Sequence, residues 1–558
     1  MKNSLKNAGA KSADKTGAPL VAYFCMEYGL SSDFLIYSGG LGILAGDLIK
    51  AAYDVKYPMV AIGILWRQGY TSQTIDANGQ PADRYYEYRY PFLKDTGVEV
   101  TVNIKKETVR CKVWLCDCFG NIPLYLLDTF LPDNPNFLIT GQLYGWFDEE
   151  RMAQEIILGV GGVKALKALG IQPDVYHFNE GHAVLAGLEL IKNEIIEANK
   201  SFKYSTEDFT AAWEKVRNKI VFTTHTPVIA GNESHSLRTM RYIGADNGFK
   251  NSELVMLGGN PFNMTVAGLR LSKAANAVSE LHAVTAGKMW ANIDGICNIV
   301  AVTNGVHNGT WQNSGIADAN TKGADQLWDI HMQLKKKLIG EIKRRNNITL
   351  DPESLIIGFA RRAAPYKRSD LIFSNPDKII PLLESGKICL VFAGKAHPND
   401  LKGKSIIANL YKMSQKYPDS IIFIQNYSIE IGQLMTQGCD VWLNNPVRPL
   451  EASGTSGMKA AMNGVLNLSV LDGWWPEGCE HGLNGWQIGG GYEGEDCDEH
   501  DSLSLYKVLT EEVIPTFYEN RQKWVSMMRS SIQMSQFKFS AARMLDDYVK
   551  LIYRHTNK

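Results

Sequence analysis

Two short segments concentrate the residue types that chemistry needs. In Pro449-Leu450-Glu451-Ala452-Ser453-Gly454-Thr455-Ser456-Gly457-Met458-Lys459, small, hydroxyl-bearing and glycine residues run into AAMNGVL, which reads as a helix opening. A helix start offers free backbone N–H groups and a positive dipole end, so the stretch is a candidate phosphate cradle. It lacks the G-x-x-x-x-G-K-[ST] spacing of a nucleotide P-loop. Lys459 sits among apolar neighbours, where desolvation lowers an amine's pKa and readies it for Schiff-base chemistry. The plainer alternative is a tight turn capped by hydroxyls, with a lysine reaching out to solvent. The second segment, Arg361-Arg362-Ala363-Ala364-Pro365-Tyr366-Lys367-Arg368, follows the apolar run LIIGFA. Four cations at a strand end suit a bound multivalent anion. Embedding between apolar segments argues against a merely solvated charge run.

Weaker signals lie elsewhere. Ser38-Gly39-Gly40-Leu41-Gly42 is a glycine-rich turn before ILAGDLIKAA, explained equally well by close backbone packing. His225 in FTTHTP and Asn304 in VTNGVH each follow an apolar run, and either could be an ordinary satisfied polar group. His177, His182, His307 and His397 show no metal-ligand spacing. Cys111, Cys116 and Cys118 fall in VRCKVWLCDCFG, whose alternation predicts a strand. No second ligand pair follows them, so the nine cysteines read as reduced thiols, with no metal expected.

Such residues need a frame. Runs such as LIIGFA and ICLVFAG, each followed by a polar turn and a helix-period segment, predict parallel strands buried on both faces: an α/β, doubly wound architecture. In such sheets ligands bind beyond the carboxyl ends of strands, where these motifs fall. The Gly- and Asn-rich stretch VTNGVHNGTWQNSGIADANTKGADQ precedes a long helical segment, LWDIHMQLKKKLIGEIKRR, and places a division near residue 315. Two domains are expected, 18–315 and 316–558, facing each other across a cleft, with the last helix able to pack back on the first. The chain's 558 residues suffice for that. With 58 Lys+Arg against 59 Asp+Glu the net charge is -1, so neither nucleic acid nor an anionic membrane is an expected partner. No apolar run reaches membrane-spanning length. The N-terminus has lysines but no apolar signal core, predicting a solvated lead-in of about 17 residues and a cytoplasmic location.

Taken together, these segments resemble one family closely, the α-glucan phosphorylases of glycogen, starch and maltodextrin. EASGTSGMKAAMNG resembles that family's pyridoxal-phosphate lysine motif, GFARRAAPYKR its phosphate-binding motif, and YSGGLG its N-terminal glycine loop. FNEGHA, FTTHTP and TNGVH occur in the expected order, and FCMEYGL, GILWRQGY and NPVRPLEASG point to the short bacterial and archaeal branch. The resemblance runs from about Val21 to about Gly490. It implies twin Rossmann-like domains of the GT-B glycosyltransferase type. The implied reaction is retaining phosphorolysis of α-1,4-glucan or maltodextrin ends by inorganic phosphate to α-glucose 1-phosphate, with pyridoxal 5'-phosphate as cofactor. By motif position, Lys459 should carry the cofactor as an imine. Thr455, Ser456, Arg361 and Gly40 should surround its phosphate, and Tyr427 and Trp311 should flank its ring. Arg362 and Lys367 should hold the substrate phosphate. His225, Leu41, Asn304, Tyr366, Glu451, Ala452, Ser453 and Gly454 should form the glucosyl subsite, and His225, Arg362, Lys367 and Lys459 the catalytic set.

Two positions depart from the family pattern. Ala153 in RMAQE replaces a residue usually basic, removing a charge near the expected cleft, and Asn232 stands where this branch often has histidine. A nucleotide-sugar synthase of the same architecture is the nearest rival, but its usual lysine before the double glycine is Ser38 here. A catalytically silent glucan-binding homologue is the other. Homo-oligomerisation is left open.

Overall fold

The computed structural model describes residues 17–554 apart from 136, 146, 147, 229, 230 and 322. Nearly all of the expected N-terminal lead-in lies outside the described residues.

Two sheets organise the chain. The first has nine strands among the described residues. Its parallel part runs Ile299–Ala301, Ala274–Ala277, Ile220–Thr223, Val175–Asn179, Val21–Phe24, Met59–Ile64 and Leu124–Asp128. Glu107–Cys116 and Lys94–Ile104 extend it as an antiparallel edge. The central strands are buried throughout, whereas Lys94–Ile104 ends in alternating exposed and buried residues. That difference is what helices on both faces, against one solvated face, demand. The second sheet is wholly parallel, in the order Ile421–Ile424, Ile388–Ala393, Leu355–Ala360, Val441–Asn444, Leu466–Val470, Gly485–Ile488. LIIGFA and ICLVFA are buried at every residue, as their composition requires.

Each sheet winds outward in both directions from a central pair, and the reversal opens a crevice at the strand carboxyl ends. In the first sheet the pair is Val21–Phe24 beside Val175–Asn179, followed by Glu27 and Glu180. In the second it is Leu355–Ala360 beside Val441–Asn444, followed by Arg361.

The chain exchanges segments between the sheets. The hairpin Ser72–Ile75/Pro81–Arg84 leaves the first half and docks on loops of the second. The Gln73 side-chain amide pairs with the backbone of Ala396, accepting from its N–H at 2.9 Å and donating to its carbonyl at 3.2 Å. Lys395 Nζ donates to the Thr71 carbonyl at 3.0 Å, and Asp83 pairs with Lys404 at 2.6 Å. In the other direction, Ala541, Met544, Leu545, Tyr548, Ile552 and Tyr553 are buried in the core of the first sheet. There the ring Nδ1 of His177 lies 2.7 Å from the Tyr553 hydroxyl. No helix among the described residues is long and apolar enough to cross a membrane.

Candidate active site between the two sheets

The two crevices face one cleft of about 580 Å³. Every residue that the family resemblance assigns to cofactor or substrate lines it: Gly40, Leu41, His225, Asn304 and Trp311 from the first half, and Arg361, Arg362, Tyr366, Lys367, Tyr427, Glu451, Ala452, Ser453, Gly454, Thr455, Ser456 and Lys459 from the second. Residues almost 420 positions apart in sequence thus share one surface, because strand carboxyl ends deliver them there.

Lys459 lies in the helix Ser456–Ala461, which opens four residues earlier than expected. AAMNGVL is not the helix start: Asn463 and Gly464 already turn the chain into the strand Leu466–Val470. Gly464 takes φ +77°, the left-handed region that stops a helix. Thr455, at the helix N-terminus, makes no side-chain cap, and with Ser456 it lines the cleft. The Lys459 ammonium rests 3.7 Å from the centroid of the Trp311 ring. Burial lowers its pKa to about 8, with the charge of Asp47 opposing the fall. Tyr427 packs nearby, its hydroxyl against Gly432.

The cation cluster divides. Arg361 Nη2 pairs with Glu451 Oε2 at 2.8 Å, and Lys367 Nζ pairs with the same oxygen. Arg361 also contacts Asn444 Oδ1 across the switch point of the sheet. Burial alone would raise the Glu451 carboxyl, but the charges of Arg361 and Lys367 hold it below its ordinary value, so it stays ionised. Gly454 turns the loop at φ +70°, where a Cβ would stand 3.0 Å from Arg361 Nη2 and 3.2 Å from Glu451 Oε1. Arg362 is exposed to the cleft and has no ion-pair partner among the described residues. Arg368 corrects the sequence expectation. Buried, it donates to the carbonyls of Asn445 and Pro446 and pairs with Asp498 and Asp501, staples that leave nothing for an anion.

The opposite wall supplies acceptors. His225 Nε2 lies 2.6 Å from Asn179 Oδ1, and its backbone N–H donates to Glu180. Burial, with lesser help from neighbouring histidines, lowers its pKa to about 3, so the ring is neutral near pH 7. The buried side-chain atoms with no hydrogen-bond partner among the described residues include Asn304 Oδ1 and Ser453 Oγ. Buried polar atoms are rarely left so, and both line the cleft, which suits a ligand rich in hydroxyls.

Several lining residues carried no signal strong enough to single them out. Glu27, in FCMEYGL, accepts from the Ser38 N–H at 2.5 Å and the Gly39 N–H at 3.2 Å, fixing the glycine turn. A Cβ on Gly42 would stand 2.7 Å from its carboxylate. Ser38, the rival synthase's lysine position, is spent on this carboxylate. Lys395 lines the cleft as well, its pKa lowered by burial to about 8. Glu27 and Glu180 are each the one carboxylate just beyond a central strand, and that position was the legible clue.

The Ala153 expectation also needs correction. Ala153 is in the core, 3% exposed, and the residue that its helix sends into the cleft is Arg151. Arg151 pairs with Glu233 at 2.7 Å, lies over the Tyr144 ring at 4.4 Å, and places Nη2 2.8 Å from His182 Nε2. The cleft therefore keeps a cation on this wall. Glu233, Glu155 and His235 bring potential ligand atoms within 4.8 Å of one another. Burial, then the Glu233 charge, drives the Glu155 carboxyl upward, while Arg151 supplies the local positive charge. Asn232 borders the cleft and accepts from the Thr265 hydroxyl at 2.6 Å.

A cofactor with an aldehyde and a phosphate ester fits this donor set. Lys459 offers a depressed amine, Trp311 and Tyr427 flat walls, and Arg361 with the amides at Thr455 and Ser456 an anion cradle.

Known proteins resemble this chain over most of its length. Residues 315–477 match the family model for carbohydrate phosphorylases. The maltodextrin phosphorylase of Thermococcus litoralis is 39% identical, over 96% of this chain and 70% of that protein. The glycogen phosphorylase of Mycobacterium tuberculosis is 36% identical over the same shares. That of Aquifex aeolicus is 34% identical over 98% of this chain and 88% of its own length.

Proposed function

The chain belongs to the carbohydrate phosphorylase family and is an α-glucan phosphorylase; we propose that it splits glucosyl units from α-1,4-glucan ends with inorganic phosphate in the cleft described, using pyridoxal 5'-phosphate held by Lys459. The observation that carries this reading is the meeting of three things on one surface: a buried low-pKa lysine, a cation cluster, and the orphaned acceptors Asn304 Oδ1 and Ser453 Oγ.

In this reading the residues of the cleft divide the labour. Trp311 and Tyr427 wall the cofactor ring, and Gly40, Thr455, Ser456 and Arg361 receive its phosphate. When bound, that phosphate supplies an ester whose second pKa of about 6 suits proton transfer near neutrality. Arg362, without an ion-pair partner among the described residues, and Lys367 bind the substrate phosphate. Two phosphates held close repel strongly, about 4 kcal/mol for each pair of unit charges at ~4 Å in an effective dielectric of about 20. Arg361, Arg362 and Lys367 offset that cost.

Neutral His225 contributes hydrogen bonds to the glucosyl unit, and its pKa of about 3 unfits it to deliver a proton at pH 7. Asn304, Ser453, the Gly454 and Ala452 backbone, Leu41 and Tyr366 complete that subsite. Glu451 gives Oε2 to the cations and keeps Oε1 for a sugar hydroxyl. A carboxylate so engaged makes a poor nucleophile, and a phosphorolysis needs none of the paired carboxylates of a glycosidase.

Incubation with maltodextrin and phosphate, followed by ³¹P NMR, is expected to show α-glucose 1-phosphate, and glucan growth from that product in reverse. Glucan growth from UDP- or ADP-glucose alone would overturn the reading in favour of a synthase.

A further inference from the structure

Behind the cleft wall, outside the lining, lies a carboxylate to which the proposed reaction assigns nothing. Asp47 sits in the helix Gly40–Asp54 of the first half and is 1% exposed. Both of its oxygens accept from the Trp311 indole N–H, each at 2.9 Å. The face of the same indole carries the Lys459 ammonium, 3.7 Å from the ring centroid. Carboxylate, indole and ammonium thus form one stack that crosses from the first half of the chain to the second.

We propose that Asp47 is a positioning residue for the cofactor lysine: it clamps the indole on which the Lys459 ammonium rests and supplies that ammonium's counter-charge. The proposal rests on the reading of Lys459 as the cofactor lysine. An N–H bonded to a carboxylate pushes electron density into the indole and strengthens its hold on a cation. No ion pair within 4 Å engages Lys459 among the described residues, so Asp47 is the charge that answers it.

The other charged groups facing Asp47 are committed elsewhere. Lys50 donates to the Leu30 carbonyl at 2.8 Å and the Thr310 hydroxyl at 3.1 Å. His307 pairs with Asp54 at 2.7 Å and lies 2.8 Å from the Thr310 hydroxyl. Burial raises the Asp47 carboxyl, while Lys459, the Trp311 N–H, His307 and Lys50 pull it back toward ionisation.

The test is the pH dependence of Lys459 acetylation by acetic anhydride, read by peptide mass spectrometry on full-length protein stripped of cofactor. The wild-type midpoint is expected at about 8. D47N keeps an acceptor for the indole but removes the charge, and is expected to lower the midpoint by about one pH unit, giving about fivefold more labelling at pH 7. W311F deprives Asp47 of its ring donor, favours its neutral form, and is expected to shift the midpoint the same way by less. If D47N does not fold, W311F decides. An unmoved or raised midpoint overturns the proposal. A reduced cofactor adduct mapped to another lysine would remove the cofactor reading without altering this midpoint, so the two failures are told apart.

Discussion

Glu451→Gln tests whether the cleft stores its phosphate-binding charge by pairing it. Glu451 Oε2 is shared by Arg361, at 2.8 Å, and Lys367, and all three side chains are less than one-tenth exposed. At that separation and an effective dielectric of about 20, the Arg361 pair alone attracts by about 6 kcal/mol before desolvation is counted. Breaking such a buried pair costs about 3 kcal/mol net, since two cations are left without a counter-charge. Spread over an unfolding entropy of roughly 2 cal/mol/K per residue, this lowers the melting temperature by about 3 °C. Phosphate should respond in the opposite sense. In the wild type the two cations must be taken from Glu451, Arg361 by the cofactor phosphate and Lys367 by the incoming phosphate. In the variant they are free, and recovering half of that pairing energy tightens phosphate binding about tenfold. Isothermal titration of the cofactor-loaded protein with phosphate, without glucan, reads this directly, and differential scanning fluorimetry reads the stability. Phosphate affinity unchanged or weakened in E451Q, with an unaltered melting temperature, would refute the idea that carboxylate and phosphate compete for the same cations.

Three further outcomes follow from the same geometry. Arg362→Lys is expected to raise the Michaelis constant for phosphate and depress turnover by about a hundredfold at full cofactor content, whereas Arg361→Ala is expected to lose cofactor and regain activity with added pyridoxal phosphate; spectrophotometric occupancy beside phosphate kinetics checks both. Borohydride reduction followed by peptide mapping is expected to place a pyridoxyl adduct on Lys459. Asp440 is fully buried between Lys335 at 2.6 Å and His331 at 2.9 Å, so Asp440→Asn is expected to cost about 3–5 kcal/mol, read as a lowered urea midpoint. Burial would raise Asp440, but the Lys335 charge and the His331 bond hold it below its ordinary value. Its stabilisation is therefore present above the unfolded carboxylate pKa and lost as pH falls through the lower folded one, a loss that D440N should not show.

Much of this is legible in the sequence. LIIGFA and ICLVFAG announce buried parallel strands because nothing in them tolerates water. The residues after them fall in the cleft because a doubly wound sheet puts strand ends there. What failed did so for local reasons. Arg368 looks like a fourth phosphate cation by proximity, but φ +48° at that residue accompanies a side chain sent down into Asn445, Pro446 and Asp501. Ala153 departs from the family's motif, yet helical periodicity puts Arg151, two residues earlier, on the cleft face. Asp47 stayed hidden in ILAGDLIKAA because its partners, Trp311 and Lys459, are hundreds of residues away, and no periodicity encodes such a meeting.

The exchange of segments bears on how the chain is made. The core of the first sheet is finished by Ala541 to Tyr553, among the last described residues to leave the ribosome. Until they emerge, His177 lacks its Tyr553 contact and the apolar seat of that terminal helix faces water. The first half thus waits, through synthesis of the whole second sheet, for its closing piece. A ribosome stalled anywhere in the second half would hold a nascent chain whose earlier half is incomplete, with a ready-made apolar surface for chaperones to hold.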